Sequence, residues 1–137
     1  MIYIDADNTV YGRISTYIAK KLLEGEGVTI VNASGVVITG SRKFIINRFK
    51  ERREIGSVRK GPYYPRTPAA ILRRSIKNMI PSKKTTGKEA LRRCFVYSGI
   101  PAFLKDQKFE SLDIAKNQKM DGFVRLKEIS EILGVKA

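Results

Sequence analysis

The sequence predicts an α/β domain with a mostly parallel central sheet. Short apolar runs rich in β-branched residues alternate with segments of helical spacing, the order typical of strands joined by right-handed helical crossovers. One run, residues 28–31, is continuous, as expected for a strand buried on both faces. The chain has 137 residues, of which 42% are hydrophobic and 29% charged, a folded composition. We therefore expect one domain spanning residues 1–137.

The first elements follow from simple patterns. Residues 2–5 are short and β-prone, and a helix is predicted over residues 11–23 because apolar residues recur there at intervals of four. These residues are Val10, Ile14, Ile18 and Leu22. Gly25-Glu26-Gly27 should end that helix, and the strand 28–31 follows. A further apolar run covers residues 36–38. Val31, Ile38 and Val96 are predicted to be core residues.

A second helix is predicted from Ser41, which can cap it, to about residue 54. Phe44, Ile45 and Phe49 are expected to face inward. The basic residues of this helix should face largely outward; they are Arg48, Lys50, Arg52 and Arg53.

Residues 56–68 contain three prolines and predict an extended loop. A third helix should start near Pro68, a residue suited to the first helical turn, and stop before Pro81. Leu72, Ile76 and Met79 lie on one predicted side of it. Arg73, Arg74 and Lys77 cluster on another, because steps of one, three and four residues stay within about a third of a turn.

The C-terminal part is patterned more weakly. A capping box at residues 86–89 predicts a short helix ending near residue 93, and residues 95–97 predict a strand. Residues 105–121 show little periodicity and are interpreted as a surface connection. A short strand over residues 123–126 precedes a last helix, 127–133, that Gly134 should end. Its predicted inward residues are Ile129, Ile132 and Leu133.

The positive charge is concentrated between residues 41 and 93. This segment holds 17 Lys and Arg against three acids, so it carries the whole net charge of +14. Such a segment favours a polyanion, because each neutralised phosphate releases condensed counterions. A merely solvated basic face is the alternative. The candidate RNA-binding residues are Arg42, Lys43, Arg48, Lys60, Tyr63, Tyr64, Arg66, Arg73, Arg74, Lys77, Lys83, Lys84, Lys88, Arg92 and Arg93. The two tyrosines either stack on unpaired bases or pack the loop onto the domain.

An enzyme is disfavoured by the residues that the chain lacks. It contains no histidine and one cysteine, Cys94, which is interpreted as a small core residue. Asp5 and Asp7 follow the first strand, but we interpret them as capping a helix or meeting basic groups. There is no phosphate-loop motif. We therefore expect no catalytic residue, metal or cofactor, and no small-molecule substrate. No apolar run approaches the ~20 residues of a membrane span, and we expect neither export nor a membrane partner.

Several motifs together resemble one protein family. Residues 76–81, Gly87-Lys88 and residues 95–99 look like the signature of large-subunit ribosomal protein thirteen, the universal L-thirteen family. The N-terminal blocks that match are Asp5-Ala6, Gly12-Arg13, Val31-Asn32-Ala33 and Ile38-Thr39-Gly40. Residues 61–66 resemble the archaeal and eukaryotic branch. The resemblance covers about residues 2–101 and, more weakly, residues 123–133. It departs from the family pattern at Asn78 and Cys94.

The resemblance implies a three-layer α/β/α domain on a parallel sheet of about four strands. It also implies a structural, non-enzymatic protein of the cytoplasmic ribosome. Its expected partners are large-subunit ribosomal RNA and neighbouring large-subunit ribosomal proteins. A free nucleic-acid-binding regulator and a small nucleotide-dependent transferase are the rival functions.

Overall fold

The computed structural model describes residues 1–54 and 64–134, with Arg53 described by its backbone alone. The strands in chain order are β1 (Ile2–Asp5), β2 (Val28–Val31), β3 (Val37–Thr39), β4 (Cys94–Val96), β5 (Glu110–Ser111) and β6 (Phe123–Arg125). The main sheet has the order β4-β2-β1-β5, and each of its three strand pairings is parallel. The predicted α/β class with a mostly parallel four-stranded sheet is confirmed.

A second sheet of two strands lies beside the first. In it β3 pairs antiparallel with β6, with Ile38 opposite Val124. The sequence predicted both strands but not that they leave the parallel sheet. Residues 105–121, which were interpreted as a surface connection, also contain regular structure. That segment includes β5, which pairs with β1, and a 3₁₀ turn at Asp113–Ala115.

In the described part of the chain, five helices cover the sheets and supply much of the core. They are α1 (Tyr11–Leu23), α2 (Arg42–Glu54), α3 (Pro68–Asn78), α4 (Thr85–Arg92) and α5 (Leu126–Ile132). The predicted inner residues of α1 are confirmed at Ile14, Ile18 and Leu22, which are fully buried, and Gly25 ends the helix region with a positive φ of 98°. All four residues of β2 are buried, as predicted for a strand covered on both faces.

Three large apolar residues predicted to face inward are exposed. Phe44 is 68% exposed, because the neighbouring Ile45 takes the buried side of α2. Met79 is 43% exposed because it follows the last residue of α3 and no longer continues the buried face. Ile132, at the end of the short helix α5, is 37% exposed, while Ile129 and Leu133 are buried.

The predicted capping box of α4 is wrong. The helix begins at Thr85, and its N-cap is Lys84, without a side-chain hydrogen bond. The preceding turn already closes when the Lys84 amide donates to the Pro81 carbonyl at 3.0 Å, so the chain enters the helix one residue earlier. The prediction that Val31 is a core residue is confirmed, because Val31 is fully buried. The other two predicted core residues, Ile38 and Val96, are only partly buried.

Candidate nucleic-acid interface

Helix α3 divides its residues between the core and the solvent. Thr67 caps it by accepting a hydrogen bond from the Ala70 amide at 3.3 Å, and Pro68 occupies the first turn. Ile71, Leu72, Ser75 and Ile76 are buried. Arg73, Arg74 and Lys77 are all exposed on the other side. The three cations predicted to share a helix face therefore do share the solvent side of α3.

These three cations line one surface groove. The groove has a volume of about 440 Å³ and is lined by Tyr64, Pro65, Ala70, Arg73, Arg74 and Lys77. We call it the basic groove. None of the described residues that line it is acidic, so the charge of this described lining is uniformly positive. Because like charges held close together add their potentials, this shallow groove attracts anions more strongly than the same charges dispersed over the surface.

The basic surface continues from α3 to α4. The guanidinium of Arg73 donates to the Leu91 carbonyl at 3.3 Å, which holds it against the end of α4. Lys84, Lys88 and Arg92 recur every four residues and are exposed, so they share one side of α4. Lys83 is exposed in the preceding turn.

The angle between this turn and α4 depends on a glycine. A Cβ on Gly87 would lie 2.0 Å from the Pro81 carbonyl oxygen, so only glycine lets α4 pack this closely against the turn.

Other predicted residues have structural partners. Arg93 is half-buried, and its Nη2 donates to the Leu22 carbonyl at 2.8 Å, where it satisfies the end of α1. Arg42 forms an ion pair with Glu128 of α5. Lys43 and Arg48 are exposed on α2. Lys60 and Tyr63 lie outside the described residues, so their predicted role stays a prediction.

Tyr64 is half-buried, and its ring contacts two guanidinium groups. The Arg74 guanidinium carbon lies 4.5 Å from the ring centroid, and that of Arg52 lies 5.7 Å away. Arg52 also lies 5.6 Å from the ring centroid of Phe49. The geometry therefore supports the interpretation in which Tyr64 packs its loop onto the domain. Arg52 is not among the candidate site residues predicted from the sequence. The three-residue step from Phe49 on α2 was the signal that could have found it.

The acidic residues after β1 serve the fold. Asp5 accepts hydrogen bonds from the Asn32 side chain and from the Asp7 amide, both at 3.0 Å. Asp7 lies 3.6 Å from Arg125 in an ion pair. The interpretation that these acids cap a helix or meet basic groups is confirmed for Asp7, whereas the partners of Asp5 are an amide side chain and a backbone amide. Among residues 1–54 and 64–134, no three potential metal ligands of the His, Cys, Asp or Glu type cluster together.

Cys94 is a buried residue of β4. Burial raises the pKa of its thiol to about 11, against a smaller opposing effect of Arg73. Its burial confirms the interpretation as a core residue. In the part of the chain that the structure describes, no helix has the length and apolar character needed to span a bilayer.

The fold and this surface define a class: an α/β protein with a concave cationic face suited to a polyanion. The model of the family described as Ribosomal protein L13 matches residues 1–102. The chain therefore belongs to the ribosomal protein L13 family, as its motifs indicated, and it is a ribosomal protein rather than an enzyme.

Archaeal relatives match nearly the whole chain. It is 59% identical over 134 residues to the large ribosomal subunit protein uL13 of Picrophilus torridus, covering 98% of this chain and 97% of that protein. The protein of the same name from Thermoplasma volcanium is also 59% identical, with 98% of each chain covered. That of Archaeoglobus fulgidus is 42% identical, with 96% of this chain and 86% of that protein covered.

Proposed function

We propose that this chain is a structural component of the large ribosomal subunit that binds and positions large-subunit ribosomal RNA through its basic surface. The observation that carries the proposal is the basic groove, in which Arg73, Arg74 and Lys77 are exposed together on one side of α3. The names of the relatives support the same assembly. The proposed location is the cytoplasmic ribosome.

The groove suits phosphates better than bases. Arginine can hold a phosphate through two parallel hydrogen bonds, and lysine supplies a mobile point charge. Contacts of this kind fix the register and orientation of the RNA without reading its sequence. Folded RNA presents its phosphates along a defined path, so a rigid row of cations recognises its shape. The α/β core serves as the platform that keeps α3 and α4 in place.

The surface consists of a basic part and a nearly neutral part, and each is proposed to bind a different kind of partner. Ribosomal RNA is the proposed partner of the basic groove and of the exposed side of α4. Neighbouring large-subunit proteins are the proposed partners of the nearly neutral remainder. There, exposed apolar residues such as Phe103 and Ile114, 73% and 70% exposed, are available for protein contacts.

Binding to RNA is tested with fragments tiled across the large-subunit ribosomal RNA. Affinity for the correct fragment should fall linearly on a log–log plot against salt, because binding releases counterions. A flat plot for every fragment would contradict a phosphate-binding groove.

Assembly is tested separately by sedimentation. The protein should co-sediment with the large subunit in high-magnesium buffer and remain there after a gradient. Salt-dependent RNA binding without co-sedimentation would instead identify a free nucleic-acid-binding regulator.

A further inference from the structure

A second concave site adjoins the basic groove. It is a cavity of about 220 Å³ between α1, α2, α3 and the end of α5. Three arginines line it, namely Arg52, Arg66 and Arg74. Aromatic rings of Tyr11, Phe49 and Tyr64 also line it. We call it the arginine cavity.

The planar groups of the cavity are held in position. The guanidinium groups of Arg52 and Arg74 both lie within 6 Å of the Tyr64 ring centroid. The Tyr11 hydroxyl donates to the Ile71 carbonyl at 3.4 Å, which fixes that ring against α3. Aromatic rings and guanidinium groups are the surfaces on which proteins stack unpaired RNA bases.

The size and polarity of the cavity restrict its ligand. Its volume lies below the ~300 Å³ at which pockets for drug-sized molecules begin, so it suits one planar ring system. Asn78 lines it and can both donate to and accept from a base edge. The described residues of its lining include no carboxylate, so they disfavour a cationic ligand.

The cavity and the groove share a wall. Tyr64, Pro65 and Arg74 line both of them. A nucleotide whose phosphate lies in the basic groove can therefore turn its base into the cavity across this wall.

We propose that the arginine cavity holds the base of one unstacked nucleotide of the RNA whose backbone lies in the basic groove. This inference rests on the proposed function. It adds a contact to the base itself, which a purely phosphate-binding surface lacks. A nucleotide already unpaired in the folded RNA is the expected ligand, because it enters a pocket without the cost of breaking a base pair.

The test uses a change that keeps charge and removes planarity. The double variant Arg52→Lys with Arg74→Lys retains both positive charges but loses the two guanidinium planes. Its affinity for the bound fragment of large-subunit ribosomal RNA should fall roughly 5- to 150-fold, the effect of losing a base-stacking contact. Its salt slope should equal that of the wild type, because no charge is removed. Circular dichroism and thermal melting establish that the variant is folded.

The matched control makes the same chemical change on the same two helices. Arg48→Lys with Arg73→Lys alters two exposed arginines that do not line the cavity. Arg73 lines the basic groove as Arg74 does, so each pair loses one guanidinium contact to phosphate there, and only the first pair alters the cavity. We expect this control pair to lose clearly less affinity than the cavity pair. Equal losses for the two pairs would overturn the nucleotide site.

A second measurement needs no variant. Ultraviolet crosslinking of the wild-type complex, followed by digestion and mass spectrometry, should attach a nucleotide to the peptide of Tyr64 or Tyr11. Adducts confined to other peptides would overturn the inference. A wild-type protein that binds no fragment in a salt-dependent way would contradict the proposed function as well, so the two failures are distinguishable.

Discussion

Neutralising the basic groove tests the function most directly. Replacing Arg73, Arg74 and Lys77 together with Gln removes three charges and keeps good helix formers on the exposed side of α3. The free protein should remain folded, because the buried side of α3 is unchanged. The change removes the exposed hydrogen bond from Arg73 to the Leu91 carbonyl and the contact of the Arg74 guanidinium with the Tyr64 ring.

The magnitude follows from the number of cations in the groove. Each neutralised phosphate contributes about 0.9 to the salt slope on a duplex and about 0.7 on a single strand. Three contacts therefore predict a slope smaller by roughly two to three units. Between 50 and 200 mM salt, the RNA affinity of the variant should then fall by a factor roughly 20 to 40 times smaller than that of the wild type. At every salt concentration in this range the variant should bind more weakly than the wild type.

The assay is affinity for one ribosomal RNA fragment over a salt series. The control changes Lys105, Lys108 and Lys119 to Gln, which removes the same charge from exposed positions outside the groove. Lys116 is left unchanged because its ammonium donates to the Asp7 carbonyl at 3.0 Å. If both triple variants lose the same affinity and slope, only net charge matters and the argument from a localised groove is refuted.

Three further predictions test the fold. Val31→Asp should prevent folding, because an unpaired buried charge costs several kcal/mol against a typical stability of ~5–15 kcal/mol; a soluble variant with an unchanged melting temperature would contradict the buried strand. Phe44→Ala should change stability by less than ~0.5 kcal/mol, whereas Ile45→Ala should cost about 2–5 kcal/mol, and denaturant unfolding of the pair checks which side of α2 is buried. Cys94 should resist alkylation in the folded protein. The raised pKa of its thiol contributes stability that is complete below about pH 9 and is lost as the pH rises towards 11. The melting temperature of the wild type should therefore fall more steeply over that pH range than the melting temperature of Cys94→Ala.

Local periodicity predicted those elements in which the burial of each residue is decided by its position along its own helix or strand. The range of α1 and the exposed cations of α3 follow from helical spacing alone. The burial of β2 follows from its continuous apolar pattern. In such cases the neighbours along the chain already decide which side is buried.

Other features depend on contacts between distant segments, and no local pattern contains them. The strand β5 is made of Glu110 and Ser111, polar residues that form a strand only because β1 offers an open edge. The arginine cavity likewise brings Tyr11, Arg52 and Leu133 together from three different helical regions. The burial of Arg93 follows from its bond to Leu22, 71 residues earlier in the chain.

The order of the strands has a consequence for synthesis. β1 pairs on one side with β2 and on the other with residues 110–111, and β3 pairs with residues 123–125. During synthesis, β1 and β3 each keep an unpaired edge until the C-terminal segment has left the ribosome. The strongly basic segment 41–93 is thus available to polyanions before the sheets are complete. A chain truncated before residue 110 would retain these open edges, which are templates for aggregation. The nearly neutral C-terminal segment therefore completes both sheets of the domain that carries the cationic segment.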